Sequence, residues 1–268
     1  MALNLAFESA GSGPPLIVLH GLFGSSANWR AVARHLGDTH TVLSVDLRNH
    51  GASPWADSMD YVGMADDVLQ LMDLLSLDEA AVLGHSMGGK TAMALALRHP
   101  RRVSRLIVVD IAPVPYADTL TPFAEAMRTA VILAAASRAE VQGRLQRVMP
   151  EPGVVPFLMQ NLVMHNGHFD WRINLVGISG SMPQLCAFPA ELLGARFERP
   201  VTVIAGADST YVVQRDGADF QPMFPRIEID VIPDAGHWVH ADQPAAFLAS
   251  VECALAGHPA PARAPQFQ

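Results

Sequence analysis

Ala80-Ala-Val-Leu-Gly-His-Ser-Met-Gly-Gly-Lys-Thr-Ala-Met-Ala-Leu-Ala-Leu-Arg-His99 is the stretch that decides the fold. Its first four residues, Ala80 to Leu83, have the length and apolar character of a buried strand. Its last thirteen, Met87 to His99, are helix-forming and are stopped by Pro100. Between them lies Gly84-His-Ser-Met-Gly88, a G-x-S-x-G motif in the strand–turn–helix setting that gives it meaning. The small residues permit a turn sharp enough to force Ser86 into strained backbone and leave its hydroxyl exposed above the sheet. The helix that begins behind it favours developing negative charge. Gly89 lets that helix pack close. Ser86 is therefore the candidate nucleophile.

Outward from this turn, strand-length apolar runs alternate with helical segments. Leu3 to Glu8 reads as an edge strand, followed by the turn Ser9 to Pro15, and Leu16 to Leu19 is a buried strand. A helix near Asn28 to Leu36 leads to the strand Thr41 to Asp46. Tyr61 to Ser76 has helical spacing in Val62, Ala65, Val68, Leu69, Met72 and Leu75, and Val103 to Ile111 is a further strand. Apolar strands separated by helices indicate an α/β protein: a mostly parallel sheet covered by helices on both faces. The pattern breaks at Pro113. From Val114 to Arg196 the periodicity is helical, with breaks near Pro150-Glu-Pro152 and Gly177 to Pro183, and no clear strand is read there. The alternation resumes with the strands Val201 to Ala205 and Ile227 to Ile232 and a helix from Gln243 to Leu255. The expected organisation is a core of residues 1–113 and 197–256, an inserted helical cap of 114–196 and a loose Pro/Ala-rich tail of 257–268.

Two further segments supply groups that a serine nucleophile needs. His20-Gly-Leu-Phe-Gly24 follows a strand directly, and a backbone N–H just after Gly21 is placed to meet that of Met87. Two such donors make an oxyanion hole. Leu22 is the expected first donor and Phe23 the alternative, while His20 is expected to pack beneath the loop. Asp234-Ala-Gly-His-Trp-Val-His240 follows the last strand, and His237, after Gly236, is the expected base. His240 is placed near the start of the next helix. His85, His50, His165 and His168 are at most pocket-lining.

Composition excludes other classes. Half the residues are hydrophobic and 16% are charged, as in a core-rich globular protein. The net charge of −8, with no basic run, leaves no nucleic-acid footprint. Lys90 stands alone against seventeen arginines and is read as compositional bias, not as a site. Cys186 and Cys253 lack metal or redox spacing and are expected to be buried thiols, with a disulfide between them as the alternative. No apolar run approaches membrane-spanning length, and Met1 to Asn4 does not open a signal-like segment. The expectation is a cytoplasmic monomer or homodimer with no membrane partner.

With these residues in hand, the chain resembles the α/β-hydrolase superfamily over nearly its whole length. It is most similar to small bacterial esterases of the YbfF type and their mitochondrial abhydrolase-domain relatives. The motifs that carry this are His20-Gly-Leu-Phe-Gly-Ser25, Val45-Asp-Leu-Arg-Asn-His-Gly-Ala-Ser53, Gly84-His-Ser-Met-Gly-Gly-Lys90, Val109-Asp-Ile-Ala-Pro113, Trp171-Arg-Ile-Asn-Leu175 and Gly236-His-Trp-Val-His240. The resemblance implies a serine carboxylesterase acting on acyl esters, or thioesters, with no metal and no cofactor; the apolar pocket expected under the cap adds a preference for short- to medium-chain acyl groups, cleaved through an acyl-enzyme. It also implies that Asp46 and Arg48 are architectural. Phe123, Met127, Phe157, Met159 and Trp171 are candidates to line an acyl pocket, though most are expected to be cap core. Carbon–carbon bond hydrolysis, perhydrolysis and a non-catalytic role in binding a small ester are the competing readings.

The acid that orients the base has two candidates. The superfamily places it after the strand that follows the cap, where the chain reads Gly206-Ala-Asp-Ser209. The usual position is Ser209, which has no charge, and Asp208 is one residue short. The other candidate is Asp110, near the C-terminal end of the strand after the elbow helix, where catalytic groups of open α/β sheets gather. The resemblance favours Asp110. Ser209 is then expected to add a hydrogen bond near the histidine.

Overall fold

A computed structural model describes residues 1–130, 132, 135–149, 153–212, 218–259 and 261. Seven strands form one sheet: β1 (Phe7–Ala10), β2 (Pro15–Leu19), β3 (Thr41–Val45), β4 (Ala80–His85), β5 (Val103–Val109), β8 (Val201–Gly206) and β9 (Ile227–Ile232). Their order is β1-β3-β2-β4-β5-β8-β9; β1 runs antiparallel to β3, and every other pair is parallel.

Alternate residues along each strand face opposite helical layers. In β2, Leu16 and Val18 pack with Trp29, Leu36 and Phe247, from around α1 (Arg30–Leu36) and α10 (Pro244–Ala256). Ile17 and Leu19 pack on the other face with Met64, Val68 and Met93, from α2 (Tyr61–Leu74) and α3 (Met87–Arg98). Both clusters are almost wholly buried. Each such side chain contributes roughly 1.5–3 kcal/mol relative to an exposed one.

Between β5 and β8 the chain leaves the sheet. It forms α4 (Thr121–Thr129), α5 (Arg138–Gln146), α6 (Val154–Leu158), α7 (Leu175–Gly180) and α8 (Met182–Cys186), with a hairpin of β6 (Leu162–His165) and β7 (His168–Trp171). The hairpin corrects the expectation of a strandless insertion. Its turn is Asn166-Gly167, both at positive φ (+49° and +80°), the sequence that a two-residue hairpin of this type favours. Pro150-Glu-Pro152, expected as a break here, lies outside the described residues. Side-chain hydrogen bonds tie the insertion to the sheet-bearing part. Asn161 Nδ2 donates to the Phe23 carbonyl at 2.7 Å, and Tyr61 Oη donates to the Leu185 carbonyl at 2.5 Å. The Met59 amide donates to Ser181 Oγ at 2.9 Å.

Two other expectations need adjustment. The edge strand is Phe7–Ala10, not Leu3 to Glu8. The earlier residues are held by side chains instead: Leu3 N–H donates to Asp67 and Ala6 N–H to Ser53. Cys186 and Cys253 are free and half-buried. The described helix α10 ends at Ala256 with Gly257 left-handed at φ +77°, and residues 260 and 262–268 of the expected tail lie outside the description. No described helix is long and apolar enough to cross a membrane.

Candidate active site

Ser86 sits between β4 and α3 with φ +53° and ψ −119°. A non-glycine residue holds this conformation only when its surroundings over-determine it, at a cost of about 1–3 kcal/mol. Here the Ser86 amide donates to the Val109 carbonyl at 3.0 Å, and the flanking glycines make the turn possible. A Cβ on Gly84 would lie 2.2 Å from the Gly88 carbonyl oxygen, and one on Gly88 would lie 2.4 Å from that of Leu19.

His237, in the loop between β9 and α9 (Val239–Asp242), lines the same cavity as Ser86. Its Nδ1 lies 2.7 Å from Asp110 Oδ2. The carboxylate accepts, so Nδ1 carries the proton and Nε2 is left as the acceptor. Asp110 directly follows β5, itself at φ +50°, and is completely buried. Its Oδ1 accepts from the Gly206 amide at 3.2 Å, and its Oδ2 also accepts a short hydrogen bond from Ser209 Oγ. The structure thus places Asp110 against the imidazole, with Ser209 as a third group, as expected. Asp208 is exposed, and the carboxylate hydrogen-bonded to His237 is that of Asp110.

Two residues hold the imidazole: Tyr211, which sequence reasoning did not weigh, and His85, which it rated as at most pocket-lining. The Tyr211 ring stacks on the imidazole at 4.2 Å and 25°. His85, one residue before Ser86, donates from Nε2 to the His237 carbonyl at 2.8 Å. Burial, then the neighbouring His237 and His240, push His85 well below the usual histidine range, so it stays neutral. His240 stacks on Trp29 at 4.5 Å, and burial lowers it to about 4. The G-x-S-x-G pattern leaves the identity of its first x open, and nothing in the spacing marks Tyr211.

The backbone near Ser86 offers two N–H groups. Met87 is the first residue of α3, so its amide has no intrahelical acceptor. The Leu22 amide donates to no acceptor among the described residues. The Phe23 amide is not available, which removes that alternative: it donates to His50 Nε2 at 3.1 Å, with Phe23 itself at φ +63°. His50 in turn donates from Nδ1 to the Arg48 carbonyl at 3.0 Å, and burial lowers its pKa to about 3. His20 lies beneath the loop as expected, donating to the Gly21 carbonyl at 2.8 Å and accepting from Leu47 N–H at 3.0 Å. Asp46 accepts from the Ser26 and Ala52 amides, and Arg48 pairs with buried Asp67 at 2.6 Å. These four residues anchor loops and do not face the cavity chemistry, with the exception of the His20 ring, which also borders it.

The cavity above Ser86 has a volume of about 970 Å³. Phe123 and Phe157 line it, as expected. Met127, Met159 and Trp171 do not; they are buried in the core of the insertion. His165 and His168 are exposed on the hairpin, away from the cavity. His85 is a lining residue, and His50 lies behind the loop. Lys90 is fully buried with Nζ 2.7 Å from the Ala187 carbonyl, beneath the rings of Tyr61 and Tyr116, so it is not a residue of arbitrary composition.

Comparison with known proteins fits this geometry. A family model described as alpha/beta hydrolase fold matches residues 14–148. The chain is 37% identical over 253 residues to the sn-1-specific diacylglycerol lipase ABHD11 of Danio rerio, covering 91% of this chain and 79% of that one. The chain belongs to the α/β-hydrolase family. This hydrolase is also 35% identical over 255 residues to Esterase YbfF of Escherichia coli, covering 94% and 98% of the two chains. A solved structure titled marine microorganism esterase superposes with a TM-score of 0.91 at 35% identity, covering 94% of this hydrolase and all of that chain.

Proposed function

We propose that this α/β hydrolase is a serine carboxylesterase that cleaves acyl esters, and thioesters of the same acids, through an acyl-enzyme. The observation that carries the reading is the 2.7 Å hydrogen bond from His237 Nδ1 to buried Asp110, on a histidine that shares a cavity with the strained Ser86. Esterase and lipase relatives at 35–37% identity support the same chemistry.

In this reading Ser86 Oγ attacks the ester carbonyl carbon while its proton passes to His237 Nε2. The C–O bond to the alcohol then breaks and His237 returns the proton to the departing oxygen. Water, deprotonated by His237, releases the acid. Asp110 fixes the tautomer and stabilises the imidazolium. The Leu22 and Met87 amides stabilise the tetrahedral oxyanion. Residues 114–196 act as a cap over a core of 1–113 and 197–256, and the apolar cavity it covers favours esters built from short- to medium-chain groups over long-chain lipids. The free thiols fit the cytoplasmic location expected from the sequence.

A p-nitrophenyl ester tests the proposal. Rapid mixing gives a burst of p-nitrophenolate equal to the enzyme concentration when deacylation is slower than acylation, and fluorophosphonate abolishes turnover by modifying Ser86. Labelling of a different residue, or turnover that survives complete labelling of Ser86, contradicts it.

A further inference from the structure

Two cavities of very different size meet at Ser86. The larger, of about 970 Å³, contains His237, Trp238, His240, Phe123 and Phe157. The smaller, of about 50 Å³, contains Met87, Lys90, Tyr61, Tyr116 and Met182. Leu22, Ser86 and Tyr211 border both, but His237 borders only the larger.

This arrangement orients the substrate. The base that takes the serine proton must hand it to the leaving oxygen, so the alcohol lies on the histidine side of the tetrahedral carbon. The acyl chain lies on the other side. We infer that the larger cavity receives the alcohol and the smaller receives the acyl chain, which makes the preferred substrates short-chain esters of bulky, largely apolar alcohols. The inference rests on Ser86 and His237 acting as proposed above and adds which half of the ester each cavity takes.

The volumes decide how selective each side is. The small cavity, at about 50 Å³, has room for roughly three to five water-sized groups, a water needing about 10–15 Å³ of such space. It therefore admits only a short acyl chain. Its walls are fixed. Tyr61 donates to the Leu185 carbonyl at 2.5 Å, Tyr116 donates to the Tyr211 carbonyl at 2.7 Å and accepts from the Ala112 amide at 2.9 Å, and Lys90 donates to the Ala187 carbonyl. A longer acyl chain must break these bonds or displace buried Met182. The large cavity lies at the upper end of the volumes of small-molecule sites and can enclose a ring system or a long alkyl group.

Two substrate series separate the halves. The acyl chain is varied from acetate to hexanoate on 1-naphthol, and the alcohol from ethyl through hexyl to decyl on acetate, alkyl alcohols of nearly equal leaving ability. The expected result is a kcat/KM that falls about tenfold or more from naphthyl acetate to naphthyl hexanoate and rises from ethyl to decyl acetate. In Met182→Ala the preference for acetate over hexanoate shrinks about fivefold or more. Naphthyl hexanoate cleaved as fast as the acetate, or ethyl acetate cleaved as fast as decyl acetate, overturns the assignment. Fluorophosphonate labelling of Ser86 is read in parallel. Labelling together with reversed selectivity overturns this inference alone, whereas no labelling and no turnover overturns the esterase reading with it.

Discussion

The role proposed for Asp110 rests on position, because three groups converge on one buried carboxylate: the His237 imidazole, the Ser209 hydroxyl and the Gly206 amide. Isosteric removal of its charge leaves the packing but offers the imidazole an amide, and a wrong tautomer of this kind costs on the order of 10⁴ in kcat. Asp110→Asn is expected to show that loss on a p-nitrophenyl ester, and Asp208→Asn, at an exposed site, is expected to stay near wild type. The opposite pattern would move the acid to Asp208. His85 acts one step further out, through its hydrogen bond to the His237 backbone. His85→Phe keeps the ring volume but loses that bond, and is expected to lower kcat on the order of tenfold with KM little changed, while His85→Gln, which retains an N–H donor, recovers part of it. Equal loss in both variants would reduce His85 to packing.

At the level of the elements, the elbow, the two loops that flank it and the alternation of strands and helices were legible from local rules. Apolar strand length, a helix stopped by proline and glycines at a sharp turn are properties of short stretches. Which carboxylate meets His237 was legible only as a choice between Asp110 and Asp208, because Ser209 stands where the family places a carboxylate, and the choice turns on how the chain folds around the imidazole. The hairpin of β6 and β7 was missed although Asn166-Gly167 announces it, since helical spacing was read across the whole insertion. The Phe23 amide was offered as an oxyanion donor because spacing does not reveal that His50, 27 residues away, already holds it. Arg48 and Asp67 join the loop after β3 to α2 as a buried pair with two hydrogen bonds, at 2.6 and 2.8 Å. Arg48→Met leaves Asp67 uncompensated and is expected to destabilise by about 3–5 kcal/mol, measured by denaturant unfolding. A loss below about 1 kcal/mol would show that the pair is dispensable.

Across the described residues, three buried histidines and the half-buried His240 are held neutral around the site. Burial lowers His20, His50, His85 and His240, with His50 near 3 and His240 near 4. In the unfolded chain each takes up a proton below about pH 6.5, so below that pH the unfolded state binds more protons than the folded one. Their contribution to stability is therefore complete above about pH 6.5 and is lost as the pH falls towards the folded-state values, by up to about 1.4 kcal/mol per pH unit for each histidine. The unfolding midpoint is expected to drop between pH 7 and pH 5, before most carboxylates titrate, and His50→Gln is expected to flatten that drop. A midpoint constant over this range would mean that the histidines are not held neutral.

The whole account depends on Ser86 as the nucleophile, and the kcat of folded Ser86→Ala on p-nitrophenyl acetate tests this most directly. Removing a triad member leaves only the residual catalysis of binding and the oxyanion hole, so a loss on the order of 10⁶ with an unchanged circular dichroism spectrum is the expected result. A folded variant that keeps more than about a tenth of the wild-type rate would contradict the account.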